Sequence, residues 1–127
     1  MNDPVKRMTI KDVESRIITI RDKKILLDRD VAELYGVTTK EVNQAVRNNM
    51  NKFLEGYCFG LCKAEKLELV KNFDRFQKLK HSTVNPTAFT EKGLYMLATI
   101  LKSVRAVETT IAIIDTFVQI HELCGTI

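Results

Sequence analysis

The sequence predicts an α+β domain that is predominantly helical, a winged helix-turn-helix-like core with short β-ribbons and a C-terminal helical pair. Three observations carry this expectation. β-Branched and aliphatic runs at residues 17–21 and 24–27 flank a polar pair, as the strands of a hairpin do. Two short apolar-periodic segments within residues 28–51 meet at Gly36. Two longer apolar segments, near residues 90–101 and 104–123, have the period of buried helices. A chain of 127 residues, 45% apolar and 28% charged, has the size and composition of one folded domain. The division expected is a polar lead over residues 1–16, one domain over 17–123 and a tail over 124–127.

In chain order, the lead is a loosely ordered tail or a short helical entry, with Lys6, Arg7 and Lys11 as candidates for phosphate contact. The hairpin turns at Asp22-Lys23. Asp28 stands where an N-cap belongs, ahead of Val31, Ala32, Leu34 and Tyr35, and Gly36 ends that helix. Thr38-Thr39-Lys40-Glu41 reads as a capping box, with Val37 and Val42 as a hydrophobic staple. Val42, Ala45, Val46 and Met50 then form the buried stripe of a second helix running to Asn51. Tyr57, Phe59 and Leu61 alternate as a short strand does, and residues 64–76 resume helical spacing through Leu67, Val70 and Phe73. A polar, basic connector over 77–86 reads as a mobile loop or wing, and Thr87-Ala88-Phe89 as a strand pairing with the earlier one. Thr90 caps the first helix of the C-terminal pair. The last helix carries two apolar stripes, Val107, Ile111, Ile114 and Val118 on one and Ile113, Phe117 and Ile120 on the other. Such a helix is either deeply buried or pairs with a partner.

The segment around Gly36 carries the functional signal. A helix-turn-helix needs a small residue where its helices cross, a glycine at the turn and apolar residues seating the second helix, and Ala32, Gly36 and Val42 meet that demand. Thr39, Lys40, Asn43, Gln44 and Arg47 are then the candidates to face a major groove, where amides pair with adenine and cationic side chains with guanine. Thr38 and Asn48 would meet phosphate, and Lys78 and Lys80 would reach the backbone from the wing. The plainer alternative is two ordinary helices joined by a glycine turn, with a solvated polar face.

Ile18-Thr19-Ile20-Arg21, the run from Leu27 to Val37 and Ala88-Phe89-Thr90-Glu91-Lys92-Gly93 resemble the ORF-six N-terminal domain, a relative of the KilA-N and Bro-N phage domains. The similarity continues through Arg105-Ala106-Val107-Glu108 as far as Val118. The resemblance implies a DNA-binding domain of phages and prophage-derived loci, often followed by a separate antirepressor-type domain. No such domain follows Ile127, so that second activity is expected to be absent or removed. Relatives often carry a glycine- and arginine-rich turn before the Phe89 motif, where this chain has Lys80-His81-Ser82-Thr83-Val84-Asn85.

Other chemistries find less support. A net charge of +4 tolerates an anionic partner without requiring one. Cys58 and Cys62 lack zinc-knuckle spacing and read as small fillers on one strand face, while His81 and His121 lie forty residues apart. With no phosphate loop, serine elbow or His-Glu-x-x-His, neither an enzyme nor a cofactor is expected. Arg105 and Glu108 suit a surface pair, Asp28 and Asp30 suit dipole compensation, and Lys71, Arg75, Lys78 and Lys80 form a basic run that either tracks DNA or is solvated. The expected partners are double-stranded DNA and a second copy joined through the C-terminal helix, with no membrane and no small-molecule substrate, in a bacterial cytoplasm. The competing reading is a protein-interaction module of antirepressor type whose last helix exposes Ile113, Phe117 and Ile120.

Overall fold

A computed structural model describes residues 8–124; the candidate contacts of Lys6 and Arg7 and the tail residues 125–127 lie outside them. The described residues form six α-helices and four strands: α1 Ile10–Glu14, β1 Ile18–Ile20, β2 Lys23–Leu27, α2 Asp28–Tyr35, α3 Thr39–Arg47, β3 Cys58–Gly60, α4 Lys63–Asn72, β4 Thr87–Phe89, α5 Glu91–Ala98 and α6 Ala106–Leu123. The expected α+β, mainly helical class holds. The strands make one antiparallel sheet in the order β1-β2-β4-β3.

Both faces of the sheet are covered, which explains the uninterrupted apolar run Ile25-Leu26-Leu27. Successive strand side chains point to opposite sides. Leu26 and Phe89 accordingly join the main core with residues of α1, α2, α3, α5 and α6. Ile25, Leu27 and Ala88 join a second cluster with Leu61, Leu69 and Phe76. The C-terminal pair therefore contributes to the main core without dominating it. Residues 8–16 are part of the packed fold, because Val13 is fully buried in that core.

Several elements differ from the sequence expectation. The hairpin turns at Arg21-Asp22, one residue earlier than read, since Ile20 pairs with Lys23. Both turn residues have positive φ, 54° and 64°, the handedness that tight hairpins require. Arg21 is an unusual residue for that backbone, and it is held by a two-point ion pair to Glu65 at 2.8 and 2.9 Å and by stacking 4.2 Å over the Phe59 ring. That pairing, with the Cys62 backbone N–H, depresses the Glu65 carboxyl to about 2. Asp28 does not cap α2; it is the first helical residue and Leu27 occupies the cap position, so strand runs into helix with no loop. Residues 64–76 are not one helix. Phe73 is extended, α4 ends at Asn72, and a 3-10 segment Asp74–His81 replaces the expected loop or wing. Leu69 and Phe76 are the buried anchors there, while Leu67 and Phe73 are exposed. The connector is pinned by the buried Lys66, whose Nζ donates to the Ser82 carbonyl.

Two interactions tie the layers together. Arg75, expected in a basic surface run, turns inward: its guanidinium donates to both oxygens of the buried Asp30 at 2.8 and 2.9 Å and packs 4.1 Å from the Phe76 centroid. Burial outweighs this pairing and raises the Asp30 carboxyl above its ordinary value. The second is a close approach. A Cβ on Gly93 would stand 1.9 Å from the Tyr57 carbonyl oxygen, and that oxygen also accepts from the Thr90 amide at 3.1 Å and the Thr90 hydroxyl at 3.0 Å. Thr90 caps α5 as read, accepting from the Gly93 amide at 3.4 Å.

Gly93→Ala forces backbone against backbone and is expected to destabilise by at least about 1–3 kcal/mol in urea unfolding. Gly60→Ala, where a Cβ meets nothing within 4 Å, should stay within about 0.5 kcal/mol. Arg75→Met leaves a buried carboxylate unpaired and should cost about 2–4 kcal/mol at neutral pH. Since the folded-state value of Asp30 is already raised and loses its lowering partner, the native state takes up the proton more readily than the unfolded chain. The deficit should therefore shrink as pH falls from 7 toward 5, which thermal melts at a series of pH values would read.

Candidate nucleic-acid interface

The site grows from the end of α2. Gly36 takes the left-handed conformation, φ 72°. Its amide donates to the Glu33 carbonyl at 3.3 Å and the Val37 amide to the Ala32 carbonyl at 3.0 Å, the paired bonds of a Schellman closure. Arg105 completes this end from 72 residues away, donating to the Glu33 carbonyl at 3.0 Å; it does not pair with Glu108 as the sequence suggested. Thr109 donates to the Leu34 carbonyl at 2.9 Å, and the Tyr35 hydroxyl lies 2.8 Å from that of Thr110.

The capping box forms as read. Thr38 Oγ1 accepts from the Glu41 amide at 3.0 Å, and Glu41 Oε1 accepts from the Thr38 amide at 2.9 Å. Those bonds lower the Glu41 carboxyl below its usual range. Val42 and Val46 seat α3 in the main core beside Ala32 and Tyr35, with Val37 packed against it. The helix is shorter than expected. It ends at Arg47, a separate 3-10 turn Met50–Lys52 follows, and Met50, read as part of the buried stripe, is 63% exposed.

The candidate residues divide into two groups. Lys40, Gln44 and Arg47 are exposed on α3, and Asn48 is exposed at its C-cap. Three of them form a chain: Arg47 donates to Gln44 Oε1 at 2.8 Å, and Gln44 Nε2 to Asn48 Oδ1 at 2.9 Å. Thr38, Thr39 and Asn43 instead line a cleft of about 540 Å³ whose other wall includes Lys78, Leu79 and Asn85. Lys78 is thus brought to the start of α3. Lys80 is exposed on the same 3-10 segment but does not line the cleft. Asn43 is not free to read a base unaided, because its Nδ2 donates to Asp28 Oδ2 at 2.9 Å.

The sequence reading missed that Asp28 and Glu33 also line this cleft, which makes its charge mixed. It missed Arg105 as well. No local pattern marks either role, since both depend on chain segments that meet only in the fold.

The cysteines divide otherwise than expected: Cys58 lies in β3 and Cys62 at the cap of α4, and both are free thiols. Burial raises the Cys58 thiol. Among the described residues no group of three or more His, Cys, Asp or Glu is placed to hold a metal, and no helix is long and apolar enough to cross a membrane.

No curated protein and no solved structure matches the chain. The model of one phage-type family, the ORF6N domain, matches residues 15–100, from just before β1 to just beyond α5, so the similarity read onward to Val118 exceeds the matched span. That span covers more than half of the 127 residues and contains the whole α2–Gly36–α3 unit, and the chain belongs to the ORF6N domain family.

Proposed function

We propose that this ORF6N domain is a regulatory module of phage or prophage origin that binds duplex DNA through α2, Gly36 and α3, acting in a bacterial cytoplasm by occupancy, with no bond made or broken. The observation that carries the reading is the closed turn at Gly36 followed by a helix seated on Val42 and Val46, its outer face carrying Lys40, Gln44, Arg47 and Asn48. An amide and guanidinium row of this kind has the donors and acceptors that read base edges. Lys78, beside the start of that helix, and the exposed Lys80 on the same 3-10 segment supply cations for phosphate. A paired operator requires two recognition helices, and α6 is the surface for a homodimer.

A second reading has its own support. Val107, Ile111, Ile114 and Val118 are 74, 53, 41 and 48% exposed, an apolar stripe that suits capture of another protein in the antirepressor manner. The stripe on which that reading was first based, Ile113, Phe117 and Ile120, packs into the core instead.

In gel shifts with the DNA flanking its own gene, affinity should fall steeply with salt, by close to one power of salt for each phosphate contact. Arg47→Ala should lose about 1–3 kcal/mol if it reads a guanine, and Lys80→Ala should weaken all sequences alike and flatten the salt slope. Absence of salt-sensitive retention of any duplex at micromolar protein would reject DNA binding and leave the protein-capture reading.

A further inference from the structure

We infer that Asp28 fixes which end of the Asn43 carboxamide is left open, so that α3 presents a preset acceptor there and selects a base bearing an exocyclic amino group, adenine or cytosine. This rests on the duplex-binding reading above and assigns one position of its sequence preference. Asp28 opens α2 and is only 6% exposed. Both of its oxygens meet donors, Oδ1 the Arg29 amide at 2.8 Å and Oδ2 the Asn43 Nδ2 at 2.9 Å. A carboxylate accepts and does not donate, so the Asn43 amide is held with its nitrogen toward α2.

The oxygen of Asn43 is left over. It accepts no hydrogen bond, yet it is not sealed from solvent: among the described residues, the buried side-chain polar atom without a partner is Ser103 Oγ. Asn43 is half-buried beside the cleft, on the helical face between the exposed Lys40 and Arg47. Gln44 differs, because its Oε1 and Nε2 engage Arg47 and Asn48, both exposed and able to rearrange on contact. The partner that sets Asn43 is buried and lies on another helix. Its polarity is therefore fixed before any ligand arrives, an arrangement that favours selectivity. In the major groove adenine and cytosine offer amino donors, whereas guanine and thymine offer acceptors at the same depth. An oxygen facing outward pairs with the first two and opposes the others.

The test selects bound sequences from a pool of randomised duplexes with the full chain. At one position the wild type should favour adenine or cytosine over guanine and thymine by at least about fivefold. Asn43→Ala should erase that preference and leave those at other positions. Asp28→Asn places a group there that both donates and accepts, so Asn43 is no longer held one way, and the same position alone should broaden. Without DNA, the Asn43 side-chain amide resonance, identified by its absence in Asn43→Ala, should move in Asp28→Asn. A mere brace between α2 and α3 would instead weaken all duplexes alike with the preferences intact, which overturns the inference, as does selection of guanine or thymine at the position Asn43→Ala affects. Should Asp28→Asn fail to fold, Asn43→Ala decides. A wild-type chain that retains no duplex rejects the proposed function and this reading with it; duplex binding whose preferences survive Asn43→Ala rejects this reading alone.

Discussion

The closure of one helix end is the constraint around which this fold is arranged. The last carbonyls of any α-helix lack intrahelical partners, and at α2 they are met from within the protein, the Leu34 carbonyl by a buried hydroxyl. Two segments answer. Gly36 and Val37 close Glu33 and Ala32 locally, Thr109 takes Leu34, and Arg105 adds a charged donor to Glu33. These bonds fix the direction in which the chain leaves α2, and therefore the pose of α3. A Cβ on Gly36 would stand 2.6 Å from the Arg105 guanidinium, so the bare backbone at the turn serves the close approach as well as the left-handed φ. The sheet supports the other end of the same helix, since β2 passes straight into α2 and β2 is sealed on both faces.

What could be read from the sequence was what is local. Thr38 with Glu41, Thr90, and Gly36 act within four residues, and each does what its neighbours imply. Features settled by distant segments were not legible. Asp28 has the chemistry of a cap, but a strand that runs directly into a helix leaves no place for one. Phe73 continues the helical period of α4, yet Phe76 has to reach the second cluster under Ile25 and Leu27, so the chain breaks and tightens there. Arg75 looks like one more surface cation until Asp30, 45 residues earlier, is placed beneath it. On α6 both stripes are apolar, so hydrophobicity alone could not rank them. Close approach decided it, because Thr109, Ala112 and Thr116 sit on the buried side and let α2 and the core come near, Thr116 returning its hydroxyl to the Ala112 carbonyl at 2.6 Å.

The candidate interface follows the same division. The exposed row on α3 was legible because helical period places Lys40, Gln44, Arg47 and Asn48 away from Val42 and Val46. The cleft was not, because Lys78 arrives from a segment that reads as a loop and Asp28 from the preceding helix. Asn43 joins the two environments: its position on α3 suits readout, while its amide is engaged by a carboxylate. The acids in the cleft disfavour phosphate there, so the cations on its outer edge and along α3 are the better placed for backbone contact.

The strand order carries a consequence for how the molecule is made. β4 lies between β2 and β3 although it is the last strand to be synthesised, so a nascent chain that has emerged through α3 has its turn chemistry complete and its foundation missing. Leu26 and Leu27 then lack Phe89 and Ala88 across the ladder, and the end of α2 lacks Arg105 and Thr109. Caps and turns can form early, but they become a fixed surface only when the final helix arrives. The end of α2 is thus set twice, by a turn that can form early and by the helix that arrives last.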